Sequence, residues 1–258
     1  MTISFSVFGL RTGLIEPGDD IIERILASAG EAEGIRDNDV IVIAESALAT
    51  AEGRVIRLDD ITPSEEALWY AERFDMDARV AEVVISESDE VIGGIPGFLL
   101  SLKDGTLLPN AGVDGSNAPY GTIIPLPLDP NASAYRIRKG IFEKTGKKVA
   151  VLIIDSRTHA MRLGVSGVTI GCSGMAAVGD CRGKKDLFGR ELEVTRRAVG
   201  DCIASAAELL MGEADECIPV VLLRGLGIEI GEGEGIETIA PDECLFMGAV
   251  RRLDNNKD

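Results

Sequence analysis

Val149-Ala-Val-Leu-Ile-Ile-Asp-Ser156 is an apolar run, rich in β-branched residues, that ends in a carboxylate and a hydroxyl. It is too short and too β-branched to prefer a helix, so it predicts a buried strand with Asp155 at its carboxyl end, the edge at which open sheets hold ligands. Working outward, residues 132–145 read as a helix closed by Gly146 that leads into this strand. On the other side, residues 164–189 are rich in glycine and small side chains, which suits loops and short strands around a site. A long helix is expected over residues 191–211, stopped by Gly212, and residues 219–223 read as another buried strand. Near the amino end, Asp19-Asp20 can cap a helix whose Ile21, Ile22, Ile25 and Leu26 form one apolar stripe. Thr62-Pro-Ser-Glu65 reads as a capping box with Pro63 at the first helical position, opening a helix that carries Ala67, Leu68, Tyr70 and Ala71. Strands and helices intermix without a simple βαβ repeat, and there is no Walker-type or dinucleotide glycine fingerprint. The fold class this predicts is α+β, a mixed sheet with flanking helices.

At 258 residues with 45% hydrophobic content, the chain can bury a substantial core, and no apolar run is long enough to span a membrane. Residues 1–8 alternate apolar and polar and lack a basic leader, so they are expected to form a first strand rather than a signal peptide. The formal charge of −17 argues against nucleic acid or an anionic membrane as partner. An anionic substrate would need a local basic focus or a bound metal. Lys184-Lys185 and the Arg157/Arg162 and Arg190/Arg196 pairs are candidates for that focus, with a solvated charged face as the alternative. The five cysteines are odd in number and lack paired spacing, which points to free thiols rather than disulfides or zinc. With no linker or repeat, the expectation is a soluble, cytoplasmic protein with one domain over residues 1–250, a division into two subdomains left open, and a polar tail at 251–258.

Asp114 lies in Asn110-Ala-Gly-Val-Asp-Gly-Ser-Asn117, where glycines let the backbone approach a phosphate or sugar and Ser116 and Asn117 offer donors. Asp114 and Asp155 converging on one site would repel unless a hard cation such as Mg²⁺ lay between them, and such sites usually also take substrate phosphates. The plainer alternative is that both are turn residues bonded to local N–H groups.

The segments keep informative company. Gly9-Leu10, Pro17-Gly-Asp-Asp20, Ala51-Glu-Gly-Arg54, Asn110 to Asn117, Leu128-Asp-Pro130, Ile154-Asp-Ser156, Ile170-Gly-Cys-Ser-Gly174, Gly183-Lys-Lys-Asp-Leu-Phe-Gly-Arg-Glu-Leu192, Leu210-Met-Gly-Glu213 and Arg224-Gly225 follow one another in a fixed order. In that order the chain resembles the coenzyme F420-0:γ-glutamyl ligase family nearly end to end. Asp37-Asn-Asp-Val40 followed by Ile41-Val-Ile-Ala44 looks like that family's next strand after its opening helix. There are departures. Where the family has Ser-Lys before Ala-Glu-Gly-Arg, this chain has Ala49-Thr50, and a lysine often found earlier is Ser46. Where it reads Asp-Thr-x-Gly-Arg-x-x-Arg-x-Gly, this chain has Asp155-Ser-Arg-Thr-His-Ala-Met-Arg-Leu-Gly164. His159 thus replaces an arginine, removing a permanent charge and a bidentate fork, and Arg157 is placed to supply a charge instead.

The resemblance implies an intertwined homodimer that joins L-glutamate to a deazaflavin cofactor precursor, with GTP activating a carboxylate as an acyl phosphate. It further implies Mg²⁺ or Mn²⁺ at two sites, with K⁺ as a further candidate ion. Asp114 and Asp155 would be metal ligands, and Ser156 would add a hydroxyl at the second metal or a nucleotide phosphate. Ser116, Asn117, Arg157 and Thr50 would bind nucleotide or substrate, and Arg162 and Arg190 would serve the chemistry at anionic groups, a structural ion pair being the alternative for each arginine. A paralogue for another amino acid or acceptor, and a non-catalytic ligand-binding homologue, are the competing readings.

Overall fold

The computed structural model describes residues 4–254. In chain order its elements are β1 Ser6–Leu10, α1 Ile21–Ser28, β2 Val40–Ala44, α2 Glu45–Ala51, β3 Ile56–Arg57, α3 Glu65–Phe74, α4 Ala78–Glu87, β4 Glu90–Ile95, β5 Phe98–Lys103, β6 Thr106–Pro109 and β7 Thr122–Ile123. There follow α5 Pro130–Thr145, β8 Ala150–Thr158, β9 Val165–Ser173, β10 Val178–Asp180, β11 Arg196–Ala198, α6 Val199–Met211, β12 Val220–Arg224 and α7 Leu245–Asp254. They divide into two compact units, one of residues up to 60 with 112–236, the other of 61–111 with 237 onward.

The first unit is built on a five-stranded sheet ordered β1-β12-β2-β8-β9, in which β2 and β8 run parallel and the other neighbours antiparallel. The fold is therefore α+β with a mixed sheet. Ile41, Ile43, Val151 and Ile153 pack with Ile25 of α1 and Ile137 and Ile141 of α5 on one face. Val42, Ala150 and Leu152 pack with Ile203, Ala204 and Ala207 of α6 on the other. Cover on both faces is why these strands read as continuous apolar runs instead of alternating ones.

Between β8 and β9 the register slips: Ile153 pairs with Gly171 but Ile154 with Thr169, so Ile170 is an extra residue. Such a bulge reverses the face to which later side chains point. A Cβ on Gly167 would lie 2.5 Å from the Ala204 backbone of α6, and one on Gly171 2.5 Å from the Pro130 backbone of α5. The small residues expected to form loops and short strands instead let two helices press on one continuous nine-residue strand.

Other expectations are corrected too. β8 runs on to Thr158, paired with β9, so Asp155 sits inside the strand and not at its end. α6 starts at Val199, because residues before it are drawn into an arm in which β11 pairs with β10 and Gly183 N–H donates to the Leu192 carbonyl. α3 is capped by Ser64, whose hydroxyl accepts from the Ala67 N–H, while its own N–H donates to Glu82; Thr62 and Pro63 precede the helix. Asp20 does cap α1, and Gly146, at φ 71°, closes α5. Of the predicted first strand, residues 1–3 lie outside the described residues, as do residues 255–258 of the predicted tail, whose first four positions belong to α7.

The second unit contains α3, α4 and an antiparallel meander β4-β5-β6 that the sequence reading did not anticipate. Ala67, Ala81, Val84, Leu99 and Leu108 are buried in it, and the Ser88 hydroxyl donates to Ser101. No helix among the described residues is long and apolar enough to cross a membrane.

Candidate active-site cleft

The register of the parallel pair β2 and β8 decides where the site forms. Ala44 of β2 pairs with Ile154 of β8, so the next residues, Glu45 and Asp155, leave the apolar core side by side. A cleft of about 390 Å³ opens there in the first unit. Its walls come from the turn after β1 (Gly13 to Ile15), the first turns of α2 (Glu45, Ser46, Thr50), the Asp114 loop (Asp114, Ser116, Asn117), Ser156, and the segment from α6 into β12 (Glu208, Gly212, Glu213, Asp215, Cys217).

The Asp114 loop is pinned by a two-way backbone bridge between Asp114 and Ile124. Asp114 Oδ1 accepts from the N–H and the hydroxyl of Ser116, both at 3.0 Å, and the residue lines the cleft. Asn117 holds a left-handed φ of 54°, a conformation asparagine tolerates better than most residues. Asp155 is largely buried, and its Oδ2 accepts from Arg157 Nε at 2.8 Å.

Carboxylates crowd one another here. Burial pushes the Asp155 carboxyl up, Arg157 opposes this by charge and hydrogen bond, and Asp114 adds to it. Glu45 is partly exposed along the wall, yet burial and then the charge of Asp155 raise it well above the usual carboxylate range. The N–H groups of Glu45 and Ser46 at the start of α2 pull the other way. Glu208 is pushed up to about 7 by burial and by its hydrogen bond and charge repulsion with Glu213, which in turn lies 3.4 Å from the Ser156 hydroxyl.

Of the residues nominated from sequence, Asp114, Ser116, Asn117, Thr50 and Ser156 line this cleft and Asp155 adjoins it. Arg157 is not on the wall; it is 7% exposed and bound to Asp155. Arg162 is exposed in the turn between β8 and β9, where His159 meets the Ser166 hydroxyl at 2.7 Å. Arg190 is exposed in the arm, its N–H donating to Asp186. Glu45, Glu208 and Glu213 were not nominated. Only Glu213 had a signal, in Leu210-Met-Gly-Glu213.

A profile of the family described as F420-0:Gamma-glutamyl ligase matches residues 9–225. This chain belongs to that family. A "Coenzyme F420:L-glutamate ligase" of Methanopyrus kandleri is 46% identical over 222 residues, 86% of this chain and 86% of its own. Proteins of the same name from Archaeoglobus fulgidus and Methanothermobacter thermautotrophicus are each 43% identical, over 93% of both chains in the first case and over 82% of this chain and 85% of the relative in the second.

The donors suit the divalent cation such a family member implies. Mg²⁺ and Mn²⁺ are commonly held by one or two carboxylates, with waters and substrate phosphates completing the shell. Asp114 and Asp155, whose charges repel, are two hard oxygen donors of that kind, and among the described residues no group of three or more His, Cys, Asp or Glu side chains gathers to hold a metal on its own.

Proposed function

We propose that this protein joins L-glutamate to the deazaflavin precursor coenzyme F420-0 by an amide bond, with GTP supplying the driving force. The observation that carries this reading is that Asp114, Ser116, Asn117, Thr50 and Ser156, on separate segments of a family member, open onto one cleft. The names of the close relatives agree with the ligation.

In the reaction a carboxylate oxygen of the precursor attacks the γ-phosphorus of GTP, the bond to the bridging oxygen breaks, and GDP leaves. The resulting acyl phosphate is attacked by the deprotonated amine of glutamate, and inorganic phosphate departs from the carbonyl carbon. Asp114 and Asp155, with Ser156 at a second position, would hold Mg²⁺ or Mn²⁺, which when bound neutralises phosphate charge. Arg157 orients Asp155 and, by a charge-assisted bond, opposes the upward push that burial gives its carboxyl. Ser116 fixes Asp114, while Asn117 and the hydroxyls of Thr50 and Ser46 offer neutral donors along the cleft. The working form in this reading is a homodimer.

A second reading, a homologue that binds a ligand without phosphoryl transfer, draws on Ser46 and Thr50, which leave no lysine on this wall. Incubation with GTP or ATP, Mn²⁺, the precursor and a mixture of amino acids, read by mass spectrometry, separates these. Precursor plus one glutamate, with GDP, is expected. Another amino acid in the product makes the protein a paralogue, and no product at all favours the non-catalytic homologue.

A further inference from the structure

The cleft and the arm between β10 and β11 are opposite in charge. The cleft's described lining includes five carboxylates, those of Glu45, Asp114, Glu208, Glu213 and Asp215, and no lysine or arginine. The arm carries Lys184, Lys185 and Arg190, all exposed; Arg182 is paired with Asp180, but these three form no ion pair among the described residues. The acid of the tip is engaged within it, since Asp186 Oδ1 accepts from the N–H groups of Phe188 at 2.8 Å and Arg190 at 2.9 Å. The arm's two sides are joined by Gly183 N–H to the Leu192 carbonyl, Leu192 N–H to the Lys184 carbonyl and Asp186 N–H to the Arg190 carbonyl, yet residues 182–191 are all exposed. A hairpin held by its own backbone presents its tip, Leu187 and Phe188, in a fixed shape, which lowers the ordering cost of docking.

This arm does not serve its own cleft. β11 leads directly into Val199, the first residue of α6, whereas the cleft is walled by the other end of that helix and the segment after it, Met211 to Asp215. A helix of 13 residues puts about 20 Å between its ends, and no arm residue lines the cleft. A second copy related by a two-fold axis removes the separation, because each copy's arm then meets the other's cleft by the same contact.

We propose that the arm of one copy seats in the cleft of a second copy and supplies the positive charge that an anionic substrate needs there. Leu187 and Phe188 make the apolar contact that holds the arm, against the repulsion of two chains of formal charge −17. Lys184, Lys185 and Arg190 then stand among the other copy's carboxylates and face the substrate's anionic groups. The role toward substrate rests on the ligase reading; the seating of the arm does not.

Mixed dimers separate this arrangement from an arm that acts on its own chain. The triple variant Lys184→Ala, Lys185→Ala, Arg190→Ala should lower kcat/KM by at least about tenfold, the worth of one charge-assisted contact, and Asp114→Asn should be inactive. Coexpressed in equal amounts, the two variants should recover about a quarter of wild-type activity, because half of randomly paired dimers are mixed and each mixed dimer holds one whole site. Full activity of the arm variant, or no recovery in the mixture, overturns the proposal and leaves the ligase reading standing. If the wild type makes no product, the ligase reading falls, and crosslinking decides the seating. Leu187→Cys treated with a short bismaleimide should join to Cys217, which lines the other copy's cleft, and run at twice the single-chain mass on a denaturing gel. Adding Cys217→Ser should abolish that band. A band that survives the change, or no band at all, overturns the seating.

Discussion

Glu208 carries a pH signature in the neutral range. Its carboxyl is raised from 4.5 to about 7, so the folded state holds the proton more tightly than the unfolded chain does. The stability linked to protonated Glu208 is therefore fully present below about 4.5 and lost as pH rises through about 7. Thermal denaturation across that window should show a falling midpoint, and Glu208→Gln should flatten the fall; an unchanged slope would place the titration elsewhere. Solvent reaches this side chain, so the effect should be well short of the full linkage value. Thr169 makes a different test. It is 4% exposed and its hydroxyl is buried without a hydrogen-bond partner among the described residues, near Gly200. Thr169→Val keeps the shape and removes the unsatisfied group, so it should stabilise the protein by about 1 kcal/mol in urea unfolding. A loss of stability would mean the hydroxyl is satisfied in solution.

At the scale of elements, legibility followed how local the signal was. The run up to Ile154, the cap at Asp20 and the stop at Gly146 were readable because each is written in adjacent residues. The start of α6 was not, since residues 191–198 have helix-compatible composition but are claimed by pairing with a segment some fifteen residues earlier, as in Asp180 with Arg196. Glycine in β9 misled for a related reason: composition shows a missing Cβ but not the helix backbone that needs the space. The site was legible in part by the same rule. Asp114 and Asp155 stand beside recognisable turn and strand chemistry, whereas Glu45 becomes a cleft residue only through the register of β2 against β8. Gly171→Ala tests the close approach. Its new methyl would meet the Pro130 backbone, which cannot move like a flexible side chain, so a loss of about 1–3 kcal/mol in chemical denaturation is expected. A neutral result would show that α5 can shift away from the sheet.

For the whole molecule, the bare apolar side chains decide how copies associate. Leu187 is 100% exposed and Phe188 88%, at the tip of the arm between β10 and β11, and Met161 and Leu163 are fully exposed in the turn between β8 and β9. Single exposed apolar residues are ordinary, but large apolar side chains exposed next to each other in sequence, as Leu187 and Phe188 are, suit a surface covered by a partner. A chain with a formal charge of −17 also repels its copies, so association has to come from apolar contact and should strengthen as salt screens that repulsion. The prediction is a homodimer: light scattering should give twice the 27.4 kDa of one chain, with dissociation on dilution more pronounced at low salt than at high. Replacing Leu187 and Phe188 together by Asp puts two charges where apolar contact is needed and leaves the buried core untouched, so the variant should run at the single-chain mass with its fold intact by circular dichroism. A wild-type mass of 27.4 kDa at micromolar concentration would rule out the dimer. A dimeric Asp variant would instead move the interface away from the arm.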